Sequence, residues 1–193
     1  MEEGVTVMPS IPHGEETGLM LRRTVIIAIF AAVAVVLSLL ETLVPLNVSV
    51  PGAKLGLANI MVLTCLYFMR GRDAMVVVIL KTLLTAFIFG TFSSFLFSFL
   101  GAVFSFGVMW VLLKVGRGRL SLIGISVAGG IAHNFGQLAA ASIVIHSSVV
   151  FYYLPMLVLL GLGTGIVVGI AVRVLVPALS KLSLFEGFLG AES

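Results

Sequence analysis

Residues 122–145 read LIGISVAGGIAHNFGQLAAASIVI, an apolar run with a polar group at its centre. It contains no Asp, Glu, Lys or Arg, and at helical rise it is long enough to cross a hydrocarbon core of about 30 Å. Gly124, Ala128, Ala132, Gly136 and Ala140 recur along it every fourth residue, a small-residue stripe of the kind that lets helix backbones approach closely in lipid. At its middle stand His133, Asn134 and Gln137. His133 and Gln137 are four apart and share a helix face, and Asn134 neighbours Gln137. Such a polar ridge is costly inside a bilayer unless it meets partner groups or a watery cavity.

The remainder of the chain repeats the apolar theme. Of its 193 residues, 60% are hydrophobic and 10% charged, where a soluble domain carries about 25% charged residues. That balance excludes an ordinary soluble globule, and it equally excludes disorder. Five further apolar runs stand at Thr24–Leu40, about Gly56–Met69, Ala74–Phe89, Ser94–Leu113 and Tyr153–Val176. The first follows Arg22-Arg23 and mimics a signal peptide, but it ends in Glu41-Thr-Leu-Val-Pro45 with no small-x-small cleavage site, so it is read as a retained helix. The expected fold is all-α: a polytopic membrane bundle of six transmembrane helices over residues 22–176. Residues 1–21 are expected to be a flexible cytoplasmic tail. Pro177 is expected to end the sixth helix, and residues 177–193 to form a short interfacial tail through Leu179, Leu182, Leu184, Phe185 and Phe188.

The basic residues orient the bundle. With the N-terminus inside, Arg22, Arg23, Arg70, Arg72, Lys114, Arg117, Arg119, Arg173 and Lys181 fall on the inner face and Lys54 alone on the outer loops. This is a strong positive-inside bias, predicting a multi-pass protein of the cell membrane with both termini cytoplasmic. The formal net charge of +3 therefore requires no nucleic-acid partner. A glycine stripe at Gly161, Gly165 and Gly169 predicts close packing of the sixth helix, and Ala28 with Ala32 a partner-docking face on the first. The eight Phe between Phe87 and Phe106 read as lipid-facing or packing bulk.

Two further features are out of place in an apolar chain. Lys81 stands near the middle of the third span, where a lysine costs about 2.5–3.5 kcal/mol on insertion scales. The outer segment from Glu41 through Pro45, Pro51, Gly52 and Lys54 to Asn59 sets an acid, a base and an amide around a kinked backbone, which is tolerated at membrane depth where it lines a cavity. Glu41, Lys54, Asn59, Lys81, His133, Asn134 and Gln137 are predicted to surround one pocket open to the outer face. Two lysines against one glutamate favour an anionic ligand. The plain alternatives are a structural ion pair for Lys81 and interhelical hydrogen bonding for the amides. Cys65 reads as a small buried hydrophobe, and His13 and His146 are assigned no role.

Pro51-Gly-Ala-Lys-Leu-Gly-Leu-Ala-Asn59 and Ala132-His-Asn-Phe-Gly-Gln-Leu138, with Phe89-Gly-Thr91, resemble the Gx transporter family, also described as heptaprenyl diphosphate synthase component I. The resemblance covers about residues 22–176. That family is similar in turn to the substrate-binding S components of energy-coupling factor (ECF) transporters. The resemblance implies an S-component-like six-helix fold whose first outer loop lids the pocket. It also implies an Ala-xxx-Ala face, matched by Ala28 and Ala32, that docks on a membrane T component coupled to ATPases.

The function expected is a membrane subunit for uptake of a small anionic metabolite, energised by a partner module, since the chain has no Walker motif of its own. The alternative from a different class is a non-catalytic membrane component of a prenyl diphosphate synthase. Catalysis itself is not expected: Mg²⁺-diphosphate chemistry needs clustered carboxylates, whereas Asp73 is the one Asp in the sequence. No metal site and no cofactor are expected. One Cys and one intramembrane His are too few for a haem or an iron–sulfur cluster.

Overall fold

The computed structural model describes residues 13–43, 54–116, 118–182 and 185. Among these there is no strand. The described residues form six α-helices, α1 (His13–Leu43), α2 (Asn59–Phe68), α3 (Gly71–Phe89), α4 (Phe92–Gly116), α5 (Leu122–Ile145) and α6 (Leu154–Leu179), with a 3-10 turn over Ser148–Tyr153 ahead of α6.

The ends of these helices follow from local chemistry. The Ser121 hydroxyl accepts a hydrogen bond from Gly124 N at 3.0 Å to cap α5. That helix stops where His146 turns left-handed, at φ 53°. Gly90, with φ 68°, ends α3 in the same conformation. Two boundaries differ from expectation. α1 begins at His13 rather than Thr24, so residues 13–21 of the expected tail are helical. α6 runs through Pro177 to Leu179. So near the end the missing N–H deprives a single carbonyl, and Ser180 N still bonds Val176 O at 3.0 Å.

The helices alternate in direction. Pairs running Gly130–Gly161, Val127–Gly165 and Ile123–Gly169 make α5 and α6 antiparallel. Arg23 and Asp73, an ion pair, set the first third of α1 beside the start of α3. The short α2 is the hub and touches every other α-helix; its Val62, Leu63 and Cys65 are fully buried. At ten residues it rises only about 15 Å, so it is enclosed by the others rather than matched to a bilayer by itself. Among the described residues three segments are long and apolar enough to cross a membrane: Gly18–Leu43, Phe92–Gly116 and Ser148–Leu179. α3 and α5 are diluted by the polar residues that attracted notice in the sequence, Arg72, Asp73 and Lys81 in one and His133, Asn134 and Gln137 in the other.

The stripe of glycines on α6 packs within the molecule: a Cβ at Gly165 would lie 2.5 Å from Val127 Cα, and one at Gly169 2.6 Å from Ile123 Cα. The stripe on α5 is divided, with Gly136 and Ala140 buried and Gly124 exposed. Among the Phe, Phe87 and Phe92 face outward while Phe97 and Phe106 are buried. Of the residues expected in an interfacial tail, Phe185 sits in the core. It is buried against α1 and α2, with ring centroids 6.1 Å from Phe30 and 4.7 Å from Phe68. Leu179 belongs to α6 and Leu182 is exposed. Leu184, Phe188 and Arg117 lie outside the described residues, as do Pro45, Pro51 and Gly52.

Candidate functional site

At the end of the bundle where α1 finishes and α2 begins, five helices contribute polar side chains to one buried cluster. His133 and Gln137, one turn apart on α5, bring Nε2 of the ring and Nε2 of the amide within 3.0 Å. The Gln137 amide then grips the chain ahead of α2: its Oε1 accepts from Lys54 N at 3.2 Å, and its Nε2 donates to Lys54 O at 3.3 Å. Gly56 follows with φ 81°, a conformation that glycine adopts at no steric cost. A Cβ at this position would lie 3.1 Å from His133 Cδ2 and 3.0 Å from Asn59 Nδ2. From the other side, a Cβ on Gly101 of α4 would lie 2.8 Å from His133 Cε1. The imidazole is thus held between two glycines and is 2% exposed.

Charged groups complete the cluster. The Lys54 ammonium donates to Ser98 Oγ at 2.7 Å, reaches Ser94 Oγ at 3.5 Å and lies 4.7 Å from the Phe89 ring centroid. Burial pushes this ammonium below its ordinary pKa, and the Glu41 carboxylate pulls it back up. Glu41 Oε1 accepts from Ala58 N at 3.3 Å. Ala58 is the N-cap residue of α2 and supplies no side-chain cap of its own, so the carboxylate faces the positive end of that helix. Glu41 is also within electrostatic range of Lys81 and Lys54. Lys81 is 3% exposed. Asn59 Oδ1 is buried with no hydrogen-bond partner among the described residues, a free acceptor in a cluster otherwise rich in donors.

Six of the seven residues expected to surround one pocket stand in or beside this cluster, and Asn134, at the same level of α5, faces another way. Its Nδ2 donates to Leu157 O of α6 at 2.6 Å, close over Gly161. It fastens α5 to α6, the interhelical role open to a membrane amide. The cluster is closed over, with Glu41, Asn59, Lys81, His133 and Gln137 all buried. Ala28 and Ala32 are exposed on α1, whose Ala31 and Ala34 face the core.

Reading the sequence missed the α4 contribution. Ser94, Ser98 and Gly101 are spaced four and three apart, a small polar stripe within a Phe-rich helix, and that spacing was the available signal.

A model of the family described as heptaprenyl diphosphate synthase component I matches residues 30–175. No curated protein and no solved structure matches the chain.

Proposed function

The chain belongs to the heptaprenyl diphosphate synthase component I family, and we propose that it is an integral membrane subunit that binds a small anionic metabolite for uptake. The observation that carries this reading is the cluster in which buried Lys81 and half-buried Lys54 stand within electrostatic range of one buried glutamate, Glu41, with the Gln137 amide and the His133 ring beside them. Buried cations without matching anions are expensive, so a site left net positive is suited to a ligand that supplies the missing charge. Lys81 and Lys54 would attract the anion, and Gln137, His133 and Asn59 would orient it. The grip of Gln137 on Lys54 makes the segment ahead of α2 the part that opens.

In this reading all six helices reside in the cell membrane, with both termini cytoplasmic. Energy comes from a partner of the ECF type, a T component with ATPases, docked on the exposed Ala28 and Ala32. The protein is not itself an enzyme. Its one Asp, Asp73, is paired with Arg23 and so committed to holding α1 against α3.

The test is gentle extraction of the tagged protein from its native membrane, with identification of both co-purifying proteins and small molecules by mass spectrometry. A T component with paired ATPases, and an anionic metabolite retained by the parent chain but lost from Lys81→Met, are expected. A soluble, Asp-rich prenyltransferase in their place would overturn the reading and make the chain a synthase's membrane component.

A further inference from the structure

The opposite end of the bundle holds a cleft of about 1040 Å³ between the end of α2, the start of α3 and the end of α4. Its rim is basic: Arg70 at the N-cap of α3, Arg72 in its first turn and Lys114 from α4, with Arg23 of α1 beside them. Arg23 is occupied by Asp73, to which its Nε donates at 2.9 Å; the other three cations add to a net positive rim. One wall is apolar, formed by Leu66, Met69, Phe106 and Leu113, and the aromatic side chains of Tyr67 and Trp110 complete it.

Basic residues at one end of a membrane bundle are usually a topology signal, and such a signal needs number rather than convergence. Here the cations converge. Arg70, Arg72 and Lys114 come from two separate stretches of chain and line the same cleft, whereas Arg22, Arg119, Arg173 and Lys181 do not. The cleft is also shaped. The Trp110 indole lies so close to Gly71 that a Cβ there would meet its Nε1 at 2.5 Å. The Lys114 ammonium sits 4.4 Å from the Trp110 ring centroid, a cation–π contact that holds it over the aromatic wall. Arginine forks match phosphate oxygens in geometry as well as charge, and basic pockets between membrane helices suit anionic headgroups.

We propose that this cleft binds a phosphate-bearing anion. The phosphate lies on the rim of Arg70, Arg72 and Lys114, and the rest of the molecule lies along the apolar wall toward Phe106. This chemistry belongs equally to the headgroup of an anionic lipid and to a free organic phosphate. The site is separate from the cluster around Gln137 and does not rest on the transport reading.

The experiment uses the full chain in non-ionic detergent, titrated with dioctanoyl phosphatidylglycerol and, separately, with inorganic pyrophosphate. Three variants accompany it: Arg70→Gln/Arg72→Gln, Lys114→Gln, and Arg119→Gln/Arg173→Gln, which changes cations at positions that do not line the cleft. Saturable binding is expected from the parent chain. It should weaken at least tenfold in the double rim variant, severalfold in Lys114→Gln, and by less than twofold in Arg119→Gln/Arg173→Gln. Should the double rim variant fail to fold, Lys114→Gln carries the decision. Binding of the lipid alone identifies a bilayer headgroup as the occupant; binding of pyrophosphate as well identifies the phosphate itself. Failure of the parent chain to bind either probe, or an equal loss in Arg119→Gln/Arg173→Gln, overturns the proposal.

Discussion

Gln137 and Lys54, 83 positions apart, exchange two hydrogen bonds, the side-chain amide of one pairing with both backbone groups of the other. A single side chain on α5 thus closes the segment ahead of α2 over His133. In Gln137→Leu the part-buried Lys54 N–H and C=O lose these partners, at about 0.5–1.5 kcal/mol for each hydrogen bond. The segment then opens more often, and trypsin reads the opening directly by cutting after Lys54. Cleavage there should accelerate roughly tenfold or more, with Gln137→Glu intermediate because it keeps the acceptor. Equal cleavage of Gln137→Leu and the parent chain would show that the segment is held elsewhere.

The α5–α6 seam depends on contact between backbones. A Cβ added at Gly130 would lie 2.6 Å from Gly161 O, a backbone atom that cannot swing aside, whereas one at Gly163 would meet nothing within 4 Å. Gly130→Ala should therefore destabilise the bundle by about 1–3 kcal/mol, and Gly163→Ala should be neutral or mildly stabilising. Thermal unfolding of both in detergent checks the contrast. Identical behaviour would mean that these helices do not meet through Gly130 and Gly161.

Arg23 and Asp73 are unequal partners: the carboxylate is buried while the guanidinium is 42% exposed. Arg23→Gln strands a buried charge and should cost about 1–2 kcal/mol, discounted for the solvent around the arginine. Adding Asp73→Asn to it removes the stranded charge and should recover part of the loss. The double-mutant cycle measures the coupling, and a coupling of zero would mean that the pair does not fasten α1 to α3.

The features legible in the sequence were those set by local pattern. α5 runs from Leu122 to Ile145 as read, because Ser121 caps one end and an apolar run of bilayer length follows. Lys81, His133 and Gln137 were conspicuous as polar groups in apolar helices. Relations fixed by helix rotation were not legible. Asn134 and Gln137 are three apart, yet one faces α6 and the other the Lys54 backbone. Phe185 read as part of an interfacial tail, and only the tertiary fold shows it closing on Phe30 and Phe68. Arg70, Arg72 and Lys114 counted toward orientation; that they line one cleft with Trp110 is a fact of packing across three helices.

Lys81 separates the ligand-binding reading from a purely structural one, because the two predict opposite signs of stability change. The side chain is 3% exposed. It stands within electrostatic range of Glu41 and Lys54, and among the described residues its ammonium is in no ion pair shorter than 4 Å. If Lys81 were glue, its loss would strand Glu41 and destabilise the bundle by several kcal/mol, as breaking a buried pair does. If it is held ready for an anion, Lys81→Met replaces an incompletely matched cation with an apolar chain of similar length. Folding then stays level or improves, since Lys54 still faces Glu41, while retention of the anionic metabolite is lost. Thermal unfolding and mass spectrometry of the co-purified small molecules, made on the same preparation, give both signs together. A destabilised variant that still retains its metabolite would return Lys81 to a structural role.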